Sequence, residues 1–97
     1  MKFEWDPKKA AINLHKHAVS FEEAMTAFED LDAFITVDEL HSNDMEKRHW
    51  LIGCVDSGLL ITVVFTERCG TTRLISARPA SRRERKLYEA YQRISLS

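Results

Sequence analysis

The stretch Thr71-Thr72-Arg73-Leu74-Ile75-Ser76-Ala77-Arg78-Pro79-Ala80-Ser81-Arg82-Arg83-Glu84-Arg85-Lys86-Leu87-Tyr88 decides how the chain folds. Arg73 to Ala77 mixes branched apolar and small polar residues and reads as a strand. Pro79 has no N–H to give a ladder, so the strand stops at about Arg78. Ser81 with Glu84 three residues on has the spacing of a capping box and opens a helix. That helix reads from Arg82 to about Arg93, with Leu87, Ala90, Tyr91 and Ile94 as its apolar stripe. Its charge is unusual. Arg82, Arg83, Arg85 and Lys86 crowd the first turns, where the macrodipole is positive and a cation costs about 0.3–1 kcal/mol. Such a cluster points to an anion nearby, an acidic surface or phosphate; the plainer reading is a solvated basic face.

Outward from this stretch, the apolar patterns give an α+β chain. Lys2 to Trp5 alternates like a short strand. Asp6-Pro7 is an N-cap followed by proline at the first helical position, for a helix from Pro7 to about Lys16. Ala18 then stands where glycine is the usual terminator. Ser20 and Glu23 form a second capping box, and Phe21, Ala24, Met25 and Phe28 give that helix its core stripe. Strands follow at Ala33–Val37, Lys47–Val55 and Leu59–Glu67. A polar loop, Asp38 to Glu46, which holds His41, joins the first two, and the Asp56-Ser57-Gly58 turn makes a hairpin of the last two. Arg68 to Thr71 turns into the final strand. The expected fold is two N-terminal helices, an antiparallel meander and a C-terminal helix, with the helices on one sheet face and the other face partly open.

With 97 residues, 44 % of them hydrophobic, the chain reads as one domain, 1–97, with a core just large enough to fold alone. The net charge of −1 conceals an asymmetry. Residues 1–67 carry 6 Lys and Arg against 13 Asp and Glu, while residues 68–97 carry 8 against 2. An acidic front therefore meets a basic back. The longest apolar run, Leu59 to Phe65, is too short to span a bilayer. The N-terminus lacks an apolar leader, and Cys54 and Cys69 have no metal-binding or redox spacing, so a cytoplasmic protein with reduced thiols and no membrane association is expected.

The chemistry these residues can support is narrow. His15, His17, His41 and His49 form no metal-ligand motif, and neither a nucleophile elbow nor a phosphate-cradling glycine loop occurs. No metal and no cofactor is expected. What remains is a set of strand and turn arginines (Arg48, Arg68, Arg73 and Arg78) that adjacent strands would bring together. Arg73 and Arg78 are five apart and face opposite ways in a regular strand, unless a bulge or the strand end turns one of them. Such a set suits RNA cleavage by the ribose 2′-OH, for which a protein need only align the backbone, stabilise phosphoryl charge and move protons. His17 or Glu67 could act as base, and Tyr88 or His17 as acid. The same arginines fit two other readings, a non-catalytic RNA- or DNA-binding module and a surface for an acidic protein partner. Each arginine could also simply pair with the acidic front half.

The sequence resembles the BrnT family of type II toxin–antitoxin ribonuclease toxins over nearly its whole length. The resemblance rests on Phe3-Glu4-Trp5-Asp6, on Asn13 to Ala24, on Ile52-Gly53, and on Arg73 to Arg78 with Glu84 and Tyr88. Two positions depart from the family's habit. Ala18 replaces the glycine after the Lys16-His17 pair, and His49-Trp50 follow Arg48 where an aromatic usually comes first. The resemblance implies a RelE-like α+β ribonuclease that works without metal and arrests growth. It implies a BrnA-like, DNA-binding antitoxin as partner, in a heterotetramer of two toxins and two antitoxins. The positions it carries over are Lys16, His17, Arg48, Arg73, Arg78, Glu84 and Tyr88. His17, Arg48, Arg73, Arg78 and Tyr88 are then the expected catalytic residues, and Lys16, Glu84, Arg68 and Arg82 the expected RNA contacts, the last two on electrostatic grounds alone.

Overall fold

Local signals place the helices. In the computed structural model, which describes residues 1–43 and 45–96, strand β1 spans Lys2–Glu4, helix α1 Pro7–His17 and helix α2 Phe21–Thr26. Asp6 caps α1 by accepting the Lys8 N–H at 2.9 Å, with Pro7 in the first turn. The helix ends at Ala18, which is left-handed at φ 58° and donates its N–H to the Leu14 carbonyl. Ser20 caps α2 through the Glu23 N–H at 3.0 Å. A 3-10 turn, Ala27–Glu29, then leads into strands β2 (Phe34–Asp38), β3 (Arg48–Cys54), β4 (Leu60–Arg68) and β5 (Thr71–Pro79), and helix α3 (Arg82–Leu96) closes the chain. The Ser81–Glu84 capping box closes in both directions, Ser81 N–H to Glu84 Oε1 at 2.8 Å and Glu84 N–H to Ser81 Oγ at 3.2 Å.

The sheet order is β1-β5-β4-β3-β2. The expected antiparallel meander is present from β2 to β5, and β1 adds to it in parallel beside β5, making the sheet mixed. One face carries Leu51, Ile61, Val63, Phe65, Leu74 and Ala77, packed against Val19, Phe21, Ala24 and Ala27 of the α1–α2 region. Gly53 lies on this face at close quarters: a Cβ there would sit 3.0 Å from the Leu51 side chain and 3.1 Å from the Ala27 carbonyl oxygen, so its neighbours would have to give way. Asn13 fastens α1 to the outer edge of β5. Its amide receives the Ala77 N–H at 3.0 Å and donates to the Ala77 and Val19 carbonyls at 2.8 and 3.0 Å.

The C-terminal helix is not where the sequence pattern put it. Ile52, Leu60 and Cys54 point to the opposite face, and Tyr88 of α3 packs there with Phe34 and Ala80. So α1 and α2 cover one face and α3 covers part of the other. The stripe expected to be buried also differs: Leu87, Tyr91 and Ile94 are 40 %, 39 % and 75 % exposed, whereas Glu84 and Tyr88 are buried. The reason is polar. Glu84 and Tyr88 find partners for their buried oxygen atoms in Arg78 and Asp30, and that anchors the helix on the i, i+4 line they share. Beyond α3 the rest of this face is open. Among the described residues no helix is long and apolar enough to cross a membrane.

Candidate functional site

A single register slip assembles the open face. Along the β4–β5 ladder Val64 pairs with Ser76, but Phe65 pairs with Leu74, so Ile75 is an extra, bulged residue. With one residue added, Arg73 and Arg78 turn to the same side, opposite Thr66 and Thr62. The register across the sheet then sets Asp38, Arg48, Thr66, Arg73 and Glu4 in one row. The next row on this face is Trp50, Val64 and Ser76, and the one after it is Ile52, Thr62 and Arg78, where α3 begins to cover the sheet.

Each arginine on this face has a carboxylate. Arg73 pairs with Glu4 at 3.5 Å, and Glu46 lies between Arg48 at 3.6 Å and Arg68 at 3.0 Å. These are loose surface pairs, of the kind worth about 0–1 kcal/mol, and a phosphate can take the carboxylate's place. Arg78 is different. Its two terminal nitrogens meet Glu84 Oε1 and Oε2 at 2.7 and 2.8 Å in a bidentate fork. Burial by itself raises the Glu84 carboxyl, but the Arg78 hydrogen bonds and the Ser81 N–H outweigh it and hold the group at about 2.

Glu84 is therefore corrected from an RNA contact to a buried anchor for Arg78 and the α3 N-terminus. Tyr88 is corrected as well. Its ring is in the core and its hydroxyl donates to Asp30 Oδ2 at 2.7 Å, while burial and that carboxylate push its ionisation far above the ordinary phenol range. Its hydroxyl is engaged by Asp30, at odds with the expectation of an acid on the open face. Asp30 is held below the carboxylate range against its own burial by the Cys54 N–H, Tyr88 and the Asp32 N–H.

Lys16 and His17 lie elsewhere. With Lys9, Ile12, Asn13, Ile75 and Ser76 they line a cavity of about 190 Å³ between α1 and the bulged edge of β5. Ser76 joins that cavity to the open face, since it belongs to the same row as Trp50 and Val64. Glu67 sits outside the group, on the α1–α2 side at the hairpin end, accepting from the Thr72 hydroxyl. Arg82 is exposed at the start of α3. The His49-Trp50 pair after Arg48 splits between the two faces of the sheet. His49 stacks on Phe65 on the core side at 5.2 Å, and Trp50 lies half-buried on the open face.

One group on this face carried no motif in the sequence. The Asp38 side chain, 8 % exposed, accepts the His41 ring Nδ1 at 2.8 Å and the Trp50 indole N–H at 3.0 Å through the same oxygen. Ser42 Oγ donates to the Asp38 carbonyl at 2.6 Å and accepts the Arg48 N–H at 2.9 Å, folding the turn back onto the arginine row. Burial raises the Asp38 carboxyl, but the His41 and Trp50 bonds bring it below its ordinary value. Among the described residues no three His, Cys, Asp or Glu side chains are grouped to hold a metal ion.

Residues 5–84 match the family model of the ribonuclease toxin BrnT of type II toxin–antitoxin systems. Among solved structures, the 1.1 Å-resolution crystal structure of the Brucella abortus ribonuclease toxin BrnT is similar, with a TM-score of 0.66 and 28 % identity. The likeness covers 84 % of this chain and 99 % of that one. A search of curated proteins gives no match.

Proposed function

Because the chain belongs to the BrnT family of type II toxin–antitoxin ribonuclease toxins, we propose that it cleaves RNA without a metal ion, by attack of the ribose 2′-OH on the adjacent phosphorus over the open sheet face. The observation that carries this reading is the bulge at Ile75, which brings Arg73 into one row with Arg48. Two guanidinium groups on one row can hold a phosphate and stabilise the charge that grows on its non-bridging oxygens. Arg68, at the strand end beside Glu46, extends the same positive rim, and Arg82 extends it from α3. Arg78, held by Glu84, stands two rows along the same face. Lys16 and His17 flank the strand from the β5 side, Lys16 as a phosphate contact and His17 as a proton carrier for the attacking or leaving oxygen. The partner in this reading is a BrnA-like antitoxin, in a complex of two toxins and two antitoxins that binds DNA through the antitoxin. It silences the toxin by covering the basic row.

The test is cleavage of a single-stranded RNA by purified, antitoxin-free protein in EDTA, with the ends identified. The expected products are a 2′,3′-cyclic phosphate and a 5′-hydroxyl. Arg73→Ala and Arg48→Ala should each lower kcat about a hundredfold, the scale of losing one charge-stabilising donor. Binding without cleavage would sink the enzymatic reading in favour of an RNA-binding module. Cleavage lost in EDTA and restored by a divalent ion would sink the metal-free mechanism.

A further inference from the structure

Resting on the ribonuclease reading, we infer that His41, oriented by Asp38, is a catalytic proton-transfer residue of the open face. Asp38 is the partner of Arg48 in the β2–β3 ladder, so the dyad stands at the end of the arginine row. Asp38 is buried and His41 is not: the histidine side chain is 58 % exposed and the aspartate 8 %. A carboxylate only accepts hydrogen bonds, so the 2.8 Å contact puts the proton of a neutral ring on Nδ1 and leaves the Nε2 lone pair pointing away from Asp38. The Trp50 N–H fixes the same carboxylate oxygen, and the Ser42 bonds fix the turn that carries the ring. A mobile loop histidine needs none of this. A base that must meet one oxygen in one direction needs all of it.

The step balances simply. His41 Nε2 takes the 2′-OH proton as the O2′–phosphorus bond forms, and Asp38 stabilises the imidazolium that results. The phosphorus–O5′ bond breaks, and O5′ leaves with a proton from water. The hydroxide so formed recovers the proton from His41. Arg48, Arg68 and Glu46 form a charged cluster at this end of the row. This assignment gives His41 the proton at the attacking oxygen in place of His17, which is left as a contact farther along the RNA strand. His17 lies at the β5 edge, about three strand spacings or roughly 14 Å away, too far for both rings to reach one O2′.

The experiment compares the wild-type protein with His41→Ala and His41→Gln in single-turnover and steady-state cleavage of the same RNA, with and without added imidazole. Thermal melts run alongside. The expected result is a fall in kcat of about a hundredfold with KM changed less than about threefold, partial recovery of His41→Ala in imidazole, and an unchanged melt. Full activity in both variants overturns the inference and leaves the ribonuclease reading intact. So does a loss that imidazole does not relieve and that accompanies a lower melting temperature, because His41 is then only a tether for its turn. If the wild-type protein itself leaves RNA intact, the ribonuclease reading fails and the inference falls with it.

Discussion

Glu84 stays ionised at 5 % exposure because Arg78 meets it with two nitrogens and the Ser81 N–H adds a third bond. Its folded value of about 2 lies below the ordinary 4.5, so the sign of its pH effect is fixed. The stability it contributes is complete above pH 4.5 and is lost as the pH falls through that value toward 2. Glu84→Gln should lower the unfolding free energy at pH 7 by about 2 kcal/mol, less than for a fully buried pair because Arg78 can turn partly to water. Urea titrations across pH 2–7 check it: the gap between variant and wild type should be full at pH 7 and close between pH 4.5 and 2. A gap that does not change with pH would mean that the ion pair is not its source. Tyr88→Phe separates the structural role from a catalytic one. Losing the bond to Asp30 should cost about 1–2 kcal/mol while leaving the cleavage rate within about threefold. A hundredfold fall in kcat with the melt unchanged would return Tyr88 to the site.

The capped helices and the Asp56-Ser57-Gly58 hairpin were legible because their signals are local, a cap side chain and a turn a few residues from what they fix. Ala18 belongs with them. Its φ of 58° is the strained terminator that the absent glycine foretold, and the residue is exposed, so Ala18→Gly should raise stability by about 0.5–1 kcal/mol in chemical denaturation. An unchanged or lower midpoint would mean that the strain is relieved elsewhere. The bulge was less accessible. Arg73 and Arg78 raise the question by their spacing, but only the ladder says that Ile75 is the extra residue. The buried face of α3 escapes helical periodicity, which counts apolar side chains, because Glu84 and Tyr88 are buried through polar partners, one of them 58 residues away in sequence. Asn13 was hidden the same way: it reads as a helix-end residue, but its amide pairs with Ala77 across 64 residues. The Asp38–His41 dyad lay inside what looks like a plain polar loop, and its one sequence signal is an aspartate and a histidine three apart before a strand.

Charge ties these parts into one surface. The acidic residues of the first two-thirds do not merely oppose the basic end; Glu4 and Glu46 reach the open face and hold Arg73, Arg48 and Arg68 in place before any ligand arrives. On the ribonuclease reading, an RNA bound here exchanges with carboxylates as well as displacing counterions, so its binding should weaken at high salt. Three phosphate contacts from Arg48, Arg68 and Arg73, at about 0.7 each on a single strand, give a slope of about −2 for log K against log salt. Between 50 and 200 mM salt the affinity for a short single-stranded RNA should then fall by about twentyfold, and Arg48→Ala should flatten the slope by about 0.7. The basic first turns of α3 make the number informative. A slope steeper than about −4 would bring Arg82, Arg83, Arg85 and Lys86 into the interface, so that RNA runs off the sheet along the helix. A slope near zero would remove phosphate from the site and leave the row to an acidic protein partner.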